Sequence, residues 1–579
     1  MTPLLSVSDL SVGFGRNPEA NPIVRGVSFD LDAGETLSIV GESGSGKSVT
    51  ALSINRLVDF GGGRIIGGSI RLKRADNSIL DLTKAGEAEL TKIRGGEIGM
   101  IFQEPMTSLN PVLTIGTQIE ESFRLHRGLT GSQAKAAAKD ALDRVRIPDA
   151  ARRLTYCPNQ LSGGMLQRVM IATALACNPR LLIADEPTTA LDVTVQAQIM
   201  ALLAELKRET GMSMIFITHD IGLVAGIADK VMVMQAGQAV EQGELNQILD
   251  HPKHPYTQHL LHSVPHFASG QAARTDFQRD ETQAGPALKV DGLTVRFPVK
   301  GSFLRRSTGS VHAVEGVGFD LMPGETLAIV GESGSGKSTT ARAILGLVKS
   351  TRGTFTTNAG KAADRSSAVQ MVFQNPYASL NPRLRVDNIL AEPVIAAGGR
   401  TSAETRQRMI MLLKRVGLPE NALERYPHEF SGGQRQRLCI ARALMLNPSV
   451  LVLDEAVSAL DVSVQAQVLE LLIELQREYG LAYLFISHDM AVVERIAHRI
   501  AVIYAGQIVE IGDAASVLSE PKHSYTRRLI SAVPTVARRK ENFTLDTRQV
   551  PSLVRPIGFE PTAPEWRRFA PDHMALAEA

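Results

Sequence analysis

Two short runs of this 579-residue sequence have the residue types and spacing of a phosphate cradle. Gly41-Glu-Ser-Gly-Ser-Gly46-Lys47-Ser48 and Gly331-Glu-Ser-Gly-Ser-Gly336-Lys337-Ser338 both match G-x-x-x-x-G-K-[ST]. Glycine lets a backbone curl until successive N–H groups face one anion. Gly41, Ser43, Gly44, Ser45 and Gly46, with Gly331, Ser333, Gly334, Ser335 and Gly336, are the candidate cradles. The helix that follows each loop would present its positive N-terminus to the same phosphates. Lys47 and Lys337 would reach the β- and γ-phosphates, and the hydroxyls of Ser48 and Ser338 suit Mg²⁺. One such run could be a plain Gly-rich turn; two, each after an apolar run, are hard to explain that way.

The rest of a phosphoryl-transfer set lies at the ends of other apolar runs. Ile98 to Phe102 leads into Gln103, Leu181 to Ala184 into Asp185-Glu186, and Met214 to Thr218 into His219. The same order recurs with Gln374, Asp454-Glu455 and His488. Asp185 and Asp454 read as Mg²⁺ carboxylates acting through water. Glu186 and Glu455 are candidate general bases for an attacking water, and His219 and His488 would contact the γ-phosphate. Gln103 and Gln374 would contact either Mg²⁺ or that water. Phosphoryl transfer needs positioning and charge neutralisation more than covalent chemistry, and this set supplies both. Taken singly, a Gln or His after a strand is an ordinary loop residue and Asp-Glu an ordinary helix cap. Recurrence of the whole set in one order is what argues against that.

The elements that must position these groups follow from the same runs. Strands that are apolar without alternation are buried on both faces, as in a parallel α/β sheet. Such sheets bind ligands at the carboxyl ends of their strands, where all of these residues fall. The chain is also written twice. Ser162 maps to Ser431, Asp185 to Asp454 and His219 to His488, each at an offset of 269. Lys47 to Gln103 spans 56 residues and Lys337 to Gln374 spans 37, so the second copy lacks 19 residues there. A period this long marks a duplicated domain, since solenoid repeats are far shorter. The expected organisation is a first domain over 1–268, a short polar linker over 269–287, a second domain over 288–534 and an irregular tail over 535–579.

Composition bounds the rest. Lys+Arg 62 against Asp+Glu 60 gives a formal charge of +2, which speaks against a chain that wraps nucleic acid. The three cysteines, Cys157, Cys177 and Cys439, rule out a disulfide scaffold, match no metal-ligand spacing and read as core or helix residues. No run approaches the roughly 20 apolar residues that span a bilayer.

Two further segments carry a family resemblance. Leu161-Ser162-Gly163-Gly164-Met-Leu-Gln-Arg168 and Phe430-Ser431-Gly432-Gly433-Gln-Arg-Gln-Arg437 each precede the Asp-Glu pair by about 20 residues and look like the ABC signature. From about residue 4 to about residue 534 the chain resembles a fused, double ATP-binding subunit of an ABC transporter. The segments Met100 to Pro111 and Met371 to Pro382, with His254-Pro-Tyr-Thr257 and Ser524-Tyr-Thr526, resemble the dipeptide/oligopeptide/nickel importer branch. From the residues alone, His-Pro-Tyr reads only as a turn.

The resemblance implies an α/β fold of two tandem nucleotide-binding domains. Each would have a RecA-like parallel core, an antiparallel β-subdomain and a helical subdomain after the Gln103 or Gln374 segment. It implies ATP and Mg²⁺, and head-to-tail sites in which Ser431 and Gly433 complete the nucleotide of Lys47, and Ser162 and Gly164 that of Lys337. Phe14 and Phe297 would stack on adenine, with an ordinary core phenylalanine as the other reading. The implied partners are two integral-membrane permeases, different from each other, and an extracytoplasmic solute-binding protein, with the chain peripheral on the cytoplasmic face of the inner membrane. Peptides are the branch's usual solute; nickel, glutathione and sugars stay open. With no cysteine after Cys439, an iron–sulfur cluster is not expected.

Overall fold

The computed structural model describes residues 2–189, 191–262, 277, 285–300, 307–358, 365–458, 460–536, 539, 552–556, 558–561 and 564–578. These divide into two compact units. The first comprises Met1–Val264 with Pro534–Asp546, and the second Pro265–Val533 with Thr547–Ala579.

In the first unit a six-stranded sheet runs in the order Gln238–Glu244, Lys230–Gln235, Thr36–Val40, Ser213–Thr218, Leu181–Asp185 and Ile98–Ile101. All neighbours are parallel except the first pair. The runs expected to be strands are strands. Thr36–Val40, Leu181–Asp185 and Ser213–Thr218 are buried at every position, which is the reason their sequences do not alternate. One face packs on a four-stranded antiparallel sheet (Val24–Leu31, Leu5–Phe14, Gly63–Lys73, Ile79–Asp81) through Leu5, Leu10, Ile39, Ile70, Ile183 and Ile215. The other face carries Leu182, Ala184, Met214 and Phe216 against helices Gly163–Leu175 and Val193–Thr210 and the helices Ile115–Arg127 and Gly131–Arg144.

The second unit repeats this plan. Its core sheet runs Val369–Val372, Val450–Asp454, Ala482–Ile486, Thr326–Val330, Arg499–Tyr504 and Gln507–Asp513. The 19 residues absent from this copy coincide with the Ile79–Asp81 strand and Glu87–Ile93 helix of the first. Among the described residues only the short helix Arg365–Ala368 stands in that place.

The tail corrects the expectation of an irregular segment over 535–579. Val554–Arg555 pairs with Ser307–Leu321, and His573–Leu576 and Trp566–Ala570 extend the second core sheet to eight strands. Glu560, at the surface, closes an ion-pair network with Arg296 at 2.7 Å and Arg352 at 3.0 Å. Burial alternates along His573-Met-Ala-Leu576, but the residue types do not, so the sequence carried no strand signal there. Earlier in the tail, Arg539 donates to Asp250 of the first unit at 2.6 Å. Most of the expected linker at 269–287 lies outside the described residues; Phe277 within it packs its ring 5.1 Å from that of His498.

Candidate active sites

Each phosphate loop bridges a buried strand and a helix that starts on its lysine, Lys47–Ile54 and Lys337–Ile344. The loop needs glycine where it turns back on the sheet. Gly41 and Gly331 both have φ 152°, and a methyl there would stand 2.2 Å from the carbonyl oxygen of Met234 or Ile503. Lys47 Nζ donates to the carbonyls of Gly41 at 2.7 Å and Glu42 at 2.8 Å, and Lys337 does the same on Gly331 and Glu332. Ser45 and Ser335 are buried, and their hydroxyls have no hydrogen-bond partner. A polyphosphate in the cradle would supply acceptors to those hydroxyls, so the loops fit a nucleotide on their own chemistry.

The carboxylates arrive from the neighbouring strand. Asp185 ends Leu181–Asp185 and accepts from Ser48 Oγ at 3.0 Å; Asp454 accepts from Ser338 Oγ at 2.9 Å. Burial pushes the Asp185 carboxyl up to about 6, and it raises Asp454 as well. A hydroxyl and one carboxylate are the hard oxygen donors that Mg²⁺ takes when substrate phosphates and water complete its shell.

Glu186 and Glu455 follow with φ 45° and 48°, a left-handed turn that swings each side chain toward the Gln and His loops. Gln103 Nε2 donates to Glu186 at 3.0 Å, and His219 Nδ1 stands 3.4 Å from its other oxygen. In the second unit Gln374 donates to Glu455 at 2.6 Å, and His488 stands 3.2 Å away. Burial alone would raise Glu186, but the hydrogen bond and charge of His219 outweigh it, and its pKa falls to about 2. Glu455 is lowered by the same balance, with burial again opposed by His488. Both histidines are raised, His219 chiefly by its bond to Glu186, and His488 by Glu455 against its own burial. In each Glu–His pair the contact favours the charged form of both partners.

The structure brings Lys, Ser, Asp, Glu, Gln and His together in each unit. Ser162 and Ser431 cap their helices, accepting from Met165 N and Gln434 N at 3.4 Å. Gly164 and Gly433 have a packing reason of their own: a methyl would meet Val195 or Val464 at 2.7 or 2.4 Å. Phe14 lies half-buried on the core, pressed by Gly63, whereas Phe297 is 41% exposed. The two phenylalanines therefore do not occupy equivalent surroundings. Two contributors escaped the sequence reading. Thr189 Oγ1 donates to Glu186 at 2.8 Å, and the phenols of Tyr256 and Tyr525 reach the phosphate loops. The equal offset of the two tyrosines was visible in the sequence, but not their target.

The ABC transporter family model matches residues 24–189 and 314–458. The model for the oligopeptide/dipeptide transporter C-terminal region matches residues 240–286 and 509–558. The chain is 52% identical over 587 residues to a glutathione import ATP-binding protein of Pectobacterium atrosepticum, covering 96% of this chain and 94% of that one. It is 50% identical to the protein of the same name in Salmonella typhimurium and 49% identical to that in Escherichia coli strain K12, in both cases over 98% of this chain and 96% of the relative.

Proposed function

We propose that this chain, which belongs to the ABC transporter family and carries two of its ATP-hydrolysing cassettes, powers the import of glutathione and chemically similar short peptides. One observation carries the reading: relatives named for glutathione import match nearly the whole chain at about half identity, both cassettes and both C-terminal regions included. Among the described residues no helix is long and apolar enough to cross a membrane, so the work would be delivered to separate permeases. We place the chain peripherally on the cytoplasmic face of the inner membrane, with a solute-binding protein acting through the permeases.

In the proposed mechanism Lys47 and Lys337 exchange loop carbonyls for the β- and γ-phosphates. Ser48 with Asp185, and Ser338 with Asp454, would hold Mg²⁺, with Gln103 and Gln374 alongside, and the bound ion would supply neutralisation of phosphoryl charge. Glu186 and Glu455 accept the proton of the attacking water. A carboxylate held near pKa 2 by a histidine is a weak base. When His219 turns to the γ-phosphate, Glu186 loses its charge partner and its proton affinity rises toward its task. The signature turns at Ser162, Gly163 and Gly164 and at Ser431, Gly432 and Gly433 are the proposed nucleotide contacts that close during turnover, and Phe14 and Phe297 are the proposed adenine neighbours.

The permease-facing surfaces favour two different permeases. Met106 is 56% exposed beside Glu104 and Thr107, while Tyr377 is 63% exposed under the Arg435 guanidinium at 4.0 Å. The position of Arg435 is filled in the first unit by buried Leu166. Cysteine cross-linking from positions 106 and 377 should trap distinct permease chains; equal trapping of one chain would contradict this. For the solute, vesicles containing the chain and its permeases should take up radiolabelled glutathione in an ATP-dependent way. Stimulation of uptake and ATPase by another solute class, with none by glutathione, would overturn the assignment.

A further inference from the structure

His254-Pro255-Tyr256 in the first unit and His523-Ser524-Tyr525 in the second sit at the start of a helix, and the tyrosine of each ends on the phosphate loop. In the first unit Glu241 accepts the N–H groups of Lys253 at 2.8 Å and His254 at 3.1 Å, and His254 Nδ1 accepts from Tyr256 N at 3.2 Å. These bonds fix the entry into helix Pro255–His262. They seat Tyr256, 9% exposed, with its phenolic oxygen 2.9 Å from Glu42 N, which donates to it. The second unit repeats every bond. Glu510 accepts from Lys522 N at 2.8 Å and His523 N at 2.9 Å, and His523 Nδ1 accepts from Tyr525 N at 3.1 Å. Tyr525, 3% exposed, accepts from Glu332 N at 2.9 Å.

The peptide that receives the tyrosine is the one on which the catalytic lysine rests. Glu42 N–H and Gly41 C=O are the two ends of a single planar unit. Tyr256 holds the N–H end, and Lys47 Nζ donates to the C=O end at 2.7 Å. The Gly331–Glu332 peptide is gripped in the same way by Tyr525 and by Lys337 at 2.7 Å. Because the plane is rigid, fixing the N–H end sets the tilt of the carbonyl and so the seat of the ammonium. Glycine at 41 and 331 gives the carbonyl side of that plane no side chain to hold it.

We propose that Tyr256 and Tyr525 are positioning residues for nucleotide binding, each setting the first peptide of its phosphate loop from the C-terminal His-x-Tyr segment of its unit. This rests on the reading that both loops bind ATP. The two braces are not equally built. Tyr504 stacks on Tyr525 with ring centroids 4.1 Å apart, and Arg528 lies over both rings and pairs with Glu332 at 3.4 Å. The first unit has Gln235 and His259 at the corresponding positions.

Tyr→Phe removes the acceptor and keeps the ring, so the packing of the helix is preserved. Binding of a fluorescent ATP analogue is measured on the full chain, with Lys337→Ala isolating the first site and Lys47→Ala the second. Y256F and Y525F should each raise Kd and KM for ATP at the affected site about three- to tenfold, the range for one lost hydrogen bond, with kcat nearly unchanged because the loop binds ground and transition states alike. The melting temperature is followed in parallel. Unchanged Kd and KM in both variants overturns the proposal, whether or not the melting temperature falls. If the unsubstituted chain itself fails to bind the analogue, the nucleotide reading falls, and that outcome is distinguished by the Lys47→Ala and Lys337→Ala controls.

Discussion

The two units share a candidate catalytic set to within a few tenths of an ångström and differ at particular groups around it. Ser–Asp, Gln–Glu and His–Glu contacts recur at 3.0, 3.0 and 3.4 Å in the first and 2.9, 2.6 and 3.2 Å in the second. Around them, Thr189 donates to the Glu186 carboxylate, whereas Ser458 at the matching position donates to the backbone carbonyl of Glu455. Ser431 and Gln434 form a reciprocal helix cap that Met165 denies to the first unit. Among the described residues, only the second core sheet gains strands from the tail. After duplication, then, the candidate catalytic residues kept their mutual contacts while some of the groups around them changed. The pattern expected of one silent and one active cassette, loss of a base or a lysine from one copy, is absent from these two sites.

The comparison can be broken most directly at the lysines. Lys47→Ala and Lys337→Ala should each lower nucleotide stoichiometry from two per chain to one, because each removes the only ammonium in its cradle that reaches the β- and γ-phosphates. Equilibrium binding by calorimetry checks this; a variant that still binds two would show that its loop is not a site.

A smaller effect appears in the pH dependence of binding. The Asp185 carboxyl is raised to about 6 by burial, so it is increasingly protonated below that pH. Protons then compete with Mg²⁺, and Mg²⁺-supported nucleotide binding at the first site should weaken by up to about tenfold per pH unit below 6. Above pH 7 the carboxylate is charged and the dependence should vanish. Titration of the Lys337→Ala variant between pH 5 and 8 tests the sign; tighter Mg²⁺ binding at the acid end would contradict it.

The smallest effect probes what the second unit gained. Glu510 is fully buried and, beyond its two backbone donors, meets His573 of the tail at 2.7 Å. Glu241, its counterpart, has the backbone donors and no such histidine. His573→Ala should destabilise the second unit by about 1–3 kcal/mol, the cost of unpairing a buried group. That corresponds to several degrees in the melting transition of a unit this size, at about 2–4 °C per kcal/mol. Calorimetry should show only one of two transitions moving; a uniform shift, or none, would remove the tail from the second fold.

Much of this was legible before the fold. Lys47, Asp185 and His219 stand at the ends of unbroken apolar runs, and a parallel sheet leaves such runs one place to deliver their last residue. The Gly-rich loops were legible because few other sequences curl that way. The tail was not, because its strands are short edge additions whose register is set by Gln507–Asp513 and Ser307–Leu321 rather than by their own pattern. Nor was the role of Tyr256, since a buried tyrosine announces its ring by burial but its partner only through tertiary geometry. The contrast between Phe14 and Phe297 was hidden for the same reason: Val-Gly-Phe and Val-Arg-Phe read alike, and only the fold leaves Phe14 half-buried and Phe297 exposed.

The central claim is that both cassettes hydrolyse ATP. Steady-state ATPase of the chain assembled with its permeases, comparing Glu186→Gln and Glu455→Gln with the unsubstituted protein, tests it most directly. Each substitution keeps size and the Gln–Glu contact position while removing the base, so each alone should cut turnover by about 10²–10⁴-fold. If either variant hydrolyses ATP and drives uptake at the unsubstituted rate, that cassette is not a catalytic site and the account of two equivalent centres is wrong.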